Sequence, residues 1–121
     1  MKFLYVALGG ALGAAGRYAV SLLPVKSAFP ILTLITNIIG AVLIGFIAGI
    51  ACERDNISPS VLLFWKTGVC GGFTTFSTFS LEAYDLFNGK AYAPGVLYIV
   101  LSVIFCLGGI FLGKRLSLLF K

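Results

Sequence analysis

Apolar residues fill four stretches of the 121-residue chain, at 3–23, 31–52, 61–84 and 94–112, with only short polar or proline-bearing turns between them. A helix needs about 20 predominantly apolar residues to cross a bilayer, and each stretch predicts one such helix. Pro24 and Lys26 end the first. Pro30 opens the second, and the cluster ERDN at 53–56 closes it. Ser58 and Pro59 precede the third. Asn88, Gly89 and Lys90 make the turn before the fourth, which Lys114 and Arg115 close. Short loops make consecutive helices antiparallel neighbours. The pattern predicts an all-α integral membrane protein, with residues 1–121 forming a single four-helix transmembrane domain.

Glycines add detail. Gly9 and Gly13, Gly45 and Gly49, and Gly109 and Gly113 are each four residues apart, the spacing that lets two helix backbones approach closely. The start MKFLYVALGG has a lysine and then an apolar run, as a secretory signal does. The run is glycine-rich, continues past Arg17 and shows no clear cleavage site, so a first membrane helix is the expected reading.

Composition supports the membrane assignment. Mean hydropathy is +1.07, and 11% of residues are charged where soluble domains average about 25%. The net charge of +5 comes from basic residues that punctuate apolar runs, as topology signals do, so nucleic acid is not an expected partner. Four spans put both termini and the second loop on one side. That side holds Lys2, Arg54, Lys66, Lys114, Arg115 and Lys121 against Lys26 and Lys90 on the other, with Arg17 somewhat inside the membrane toward that end, a moderate bias toward termini inside. Cys52, Cys70 and Cys106 are three in number, with no metal-ligand spacing, and read as free thiols. There is no histidine and there are only four carboxylates, too little for general acid–base chemistry, so catalysis is not expected.

The chemistry concentrates in the third stretch, GVCGGFTTFSTFSLE at 68–82. Gly71 and Gly72 lie near its centre and Thr74 and Thr75 follow. Glycine and β-branched threonine both weaken a helix, which predicts a break near the bilayer midplane at 71–75. Freed carbonyls and amides at that depth must bind something, and carbonyls suit a bare alkali cation. The alternative is a continuous helix whose threonines bond back to the preceding turn. Phe76 and Phe79 share a helix face among Ser77, Thr78 and Ser80. Phenyl ring edges carry partial positive charge and can face an anion without trapping it. In the second stretch Thr33 and Asn37 are four apart. Asn37 either bonds across helices or donates to a permeating anion. Tyr98, Ser102 and Cys106 form a stripe of possible donors on the fourth. Arg17 is basic and well inside a span, either a functional residue or one that snorkels to the interface. Glu82 pairs with a base or borders a polar vestibule.

These motifs together resemble the Fluc (CrcB-type) fluoride channels: GGALGAAGRY at 9–18, TNIIGAVLIG at 36–45 and GVCGGFTTFSTFSLE at 68–82. The resemblance implies an antiparallel, dual-topology homodimer with two narrow fluoride pathways in the bacterial inner (plasma) membrane. It implies a structural Na⁺ at the dimer interface, held by the backbone carbonyls of Gly71 and Thr74 from both subunits. It assigns Phe76, Phe79, Asn37, Thr33, Tyr98, Ser102, Cys106, Thr75 and Ser77 to the fluoride pathway, and Arg17 and Glu82 to the vestibule. Cys106 stands where the resemblance leads one to expect serine. The expected function is passive export of toxic cytoplasmic F⁻. One rival is a small dual-topology exporter of cationic compounds, which calls for a carboxylate in the first span, where this chain has Arg17. A second rival is a non-transporting assembly subunit packed through its glycine faces.

Overall fold

The computed structural model describes residues 1–54 and 56–120; Asp55 of the ERDN cluster and Lys121 of the charge comparison lie outside them. The described residues are helical, with no strand among them. Helix α1 spans Lys2–Ser21 and α2 spans Ile31–Glu53. The third stretch is composite. An α-helical turn, Pro59–Leu62, leads into a π-helical run, Leu63–Cys70, and then a last α turn, Gly71–Phe73; together these are α3, residues 59–73. Helix α4 covers Phe76–Asn88, and α5 covers Tyr92–Ser117, with a 3₁₀ turn at Leu118–Phe120.

Local chemistry explains where the ends depart from the apolar pattern. Pro59 occupies the first turn of α3, where its missing N–H costs nothing, and the Ser58 hydroxyl accepts from the Ser60 amide at 3.3 Å. The apolar pattern places the fourth helix at 94–112, but it starts at Tyr92, because Pro94 is tolerated in a first turn. It runs on past Lys114 and Arg115 to Ser117, since basic side chains suit the negative end of a helix. The third stretch likewise continues four residues beyond Tyr84 and stops at Gly89. The residue there with left-handed backbone is Lys90, at φ 62°, and not the glycine beside it.

The break departs from expectation in position. Gly71 and Gly72 remain helical, and only Thr74 (ψ 158°) and Thr75 (φ −150°, ψ 118°) are extended. The glycines serve close packing instead: a Cβ on Gly72 would strike the Gly10 carbonyl of α1, and one on Gly13 the backbone of Val69. The same device joins α2 to α5, where Gly45 meets the backbone of Ile110 and Gly113 that of Val42. The helices therefore pair as α1 with α3 and α2 with α5, and α4 packs against α5.

Helices α1, α2 and α5 are each long and apolar enough to cross a membrane. The third stretch, cut in two, has no single helix of that length. A small interior of Leu34, Ala83 and Tyr98, flanked by Phe29 and Phe79, lies beside the break. Most large apolar side chains on α1 and α5 face outward, as a lipid surrounding requires, whereas α2 exposes one stripe, Ile31, Ile35, Ile39 and Leu43.

Candidate functional site at the helix break

An interrupted helix leaves its last carbonyls and the next helix's first amides without partners. Here side chains from three elements satisfy part of that need. The Cys70 carbonyl accepts from the Thr74 amide at 3.0 Å and from the Thr74 hydroxyl at 2.8 Å. The Asn37 side chain closes on Thr75 from both sides: its Oδ1 accepts from the Thr75 amide at 2.8 Å and its Nδ2 donates to the Thr75 carbonyl at 3.1 Å. Thr75 is also the N-cap of α4. Its hydroxyl accepts from the Thr78 amide at 3.2 Å and donates to the Thr78 hydroxyl at 3.0 Å. Arg17 Nε donates to the Gly72 carbonyl at 3.2 Å. These bonds also determine which carbonyls stay open. In an unbroken helix the Thr75 amide would serve Gly71 and the Thr78 amide would serve Thr74. Both amides are engaged elsewhere.

Two hollows flank the clamped peptide, and Thr75 lines both. The larger, about 350 Å³, is a groove bordered by Asn37, Gly71, Thr74, Phe76, Phe79, Ser102 and Cys106. Its walls are mostly apolar, with donors at a few points. The Ser102 hydroxyl is buried with no hydrogen-bond partner among the described residues. Phe76 is 80% exposed, with its ring centroid 5.5 Å from that of Phe79, which lies 5.1 Å from that of Tyr98. The smaller hollow, about 140 Å³, is bordered by Arg17, Thr33, Thr36, Thr78 and Glu82.

The structure thus gathers most residues singled out from the sequence and divides them. Asn37, Gly71, Thr74, Thr75, Phe76, Phe79, Ser102 and Cys106 all line the groove. Arg17, Thr33 and Glu82 share the second hollow. Tyr98 leaves the expected stripe: it is 0% exposed and its hydroxyl donates to Glu82 Oε2 at 2.7 Å, while the Thr33 hydroxyl donates to Oε1 at 2.7 Å. Glu82 therefore joins α2, α4 and α5 in one polar knot. Ser77 is exposed outside both hollows, its Oγ 3.4 Å from that of Thr75.

Four further residues at the site do not stand out in the sequence. A Cβ on Gly40, one turn from Asn37, would collide with the Thr74 methyl, so the bare glycine lets α2 approach the break; its spacing from Asn37 is the available signal. Thr78 completes the cap, readable from Thr75 three residues earlier once the break is placed. Cys70 borders the groove and is 1% exposed. Phe29 stacks edge-on against Tyr98 at 5.5 Å, and nothing in its local sequence points there.

Membrane-length helices around one interrupted helix, with polar groups converging on the interruption, define a small multi-pass membrane protein. Residues 4–114 match the family model described as CrcB-like protein, Camphor Resistance (CrcB), and the chain belongs to that family. Curated relatives include proteins named fluoride-specific ion channel FluC. One from Ruminiclostridium cellulolyticum is 50% identical, covering 93% of this chain and 88% of its own. Another, from Methanococcus maripaludis, is 41% identical over 98% of both chains. A third, from Agrobacterium fabrum, is 42% identical over 93% of this chain and 92% of its own. The family is one of ion channels and not an enzyme class.

Proposed function

We propose that the protein is a fluoride-selective channel through which cytoplasmic F⁻ leaves passively across a bacterial plasma membrane. The observation that carries this reading is the groove. It combines a buried hydroxyl lacking a partner, a carboxamide with one N–H unused among the described residues, and two phenyl rings on an apolar wall. Fluoride is small and tightly hydrated, so shedding water requires replacement donors at close intervals. Ser102, Asn37 and the ring edges of Phe76 and Phe79 supply them without a full positive charge that would hold the ion. The relatives' names point to the same ion.

In one chain the groove is open along its side. We assign the missing wall to a second copy in antiparallel orientation, giving a dual-topology homodimer whose two-fold axis lies in the membrane plane. The Gly71 and Thr74 carbonyls, released by the break, are hard oxygen donors suited to an alkali cation, and a Cβ on Gly71 would meet nothing within 4 Å. The donor set fits a structural Na⁺ held by these carbonyls from both copies. When bound, the ion ties the two interruptions together and adds positive potential beside the pathways. The rival exporter of cationic compounds lacks its carboxylate in α1, and Glu82 is committed to Thr33 and Tyr98.

Efflux from proteoliposomes loaded with KF, with valinomycin carrying the countercurrent and a chloride-loaded control, tests the function. Fast fluoride loss with chloride retained is the expected result. Phe76→Ile should abolish flux while assembly survives. Retention of fluoride by correctly inserted protein would refute the channel.

A further inference from the structure

We propose that Arg17 is a positioning residue for the cation site: it captures the Gly72 carbonyl and so keeps it from competing with those of Gly71 and Thr74 for the cation. This inference rests on the cation reading above. Gly9, Gly13 and Arg17 are spaced by four and share one face of α1. The first two seat that face against α3 so closely that a Cβ on either would strike backbone carbonyls. One turn on, the same face delivers Nε to Gly72 at 3.2 Å, across 55 residues of sequence. Gly72 needs that donor, because in an unbroken helix its carbonyl would take the Phe76 amide, which instead opens α4. Left open, it would join the Phe73 carbonyl, whose Ser77 amide also opens α4, as a loose oxygen between the two ligands, on a glycine whose peptide turns freely. The role of Arg17 is therefore geometric. Its charge acts in the opposite direction, since a guanidinium near a cation weakens binding.

The two effects separate by substitution. Glutamine places its Nε2 the same number of bonds from the backbone as arginine's Nε, without the charge, whereas methionine supplies no donor. The readout is the thermal midpoint of purified full-length protein, titrated with NaCl against N-methylglucamine chloride. Wild type should gain stability with sodium. Arg17→Met should raise the half-saturating sodium concentration about tenfold, and Arg17→Gln, which keeps the donor and sheds the opposing charge, should match wild type or need less sodium. Unchanged or tighter sodium binding in Arg17→Met, or equal losses in both variants, overturns the positioning role while the cation reading stands. A wild-type midpoint indifferent to sodium overturns the cation reading, and this inference with it. Should Arg17→Met fail to fold, the Nε–H of Arg17 is followed directly by NMR in ¹⁵N-arginine protein, assigned with Arg54→Lys and Arg115→Lys. Slow solvent exchange in sodium is expected; exchange as fast as that of a free side chain refutes the hydrogen bond on which the proposal depends.

Discussion

At the scale of single residues, side chains at the site answer peptide groups that the break sets loose. Asn37→Leu strands both the amide and the carbonyl of Thr75, at about 1–3 kcal/mol for each buried group, so it should lower the thermal midpoint and abolish fluoride flux. Asn37→Asp keeps the acceptor but sets a carboxylate oxygen against the Thr75 carbonyl, and should lose flux more completely than stability. Ser102 predicts the reverse pairing. Its hydroxyl has no partner among the described residues, so Ser102→Ala should leave the midpoint unchanged or raised while slowing efflux. A midpoint that falls in Ser102→Ala would mean that the hydroxyl serves the fold. Asn37 is conspicuous in the sequence as the one amide in an apolar run. Its partner is not, because Thr75 lies 38 residues away and no local pattern encodes that meeting.

At the scale of elements, Thr75 both ends the interruption and caps α4. Thr75→Val keeps the β-branched shape, deletes the cap and should cost about 1 kcal/mol. Thr75→Ser should restore it, and melting curves of the two variants side by side decide the matter. The four stretches are legible because length and apolarity alone define them, and the interruption is legible from residues that weaken helix. Its register is not. Glycine permits a break but does not require one, and at Gly72 the approach of α1 uses that freedom for packing. The π-helical run Leu63–Cys70 leaves no mark either, because a mostly apolar segment packed against α1 on one side and exposed on the other shows no side-chain period that would reveal a widened ladder.

At the scale of the whole molecule, charge and exposure set the orientation question. Lys2, Arg54, Lys114 and Arg115 gather toward one end, with Lys26 and Lys90 toward the other. A dual-topology population must tolerate that bias. Cys52 is exposed near the end of α2 and reports on it directly. In a Cys70→Ser, Cys106→Ser background, an impermeant maleimide applied to intact cells should label about half the chains, and the rest only after permeabilisation. Labelling of all or none would mean one orientation. The cut third stretch also bears on how the protein is made. Neither α3 nor α4 has the length to partition into lipid alone, and α4 carries Glu82 and Asp85. Insertion of this interrupted stretch should depend on Asn37 and Arg17, on the two helices synthesised before it, to take the loose groups of Thr75 and Gly72. Biogenesis should then be the first process to feel a damaged clamp, read as a lower level of inserted Asn37→Leu chain in membranes than of wild type.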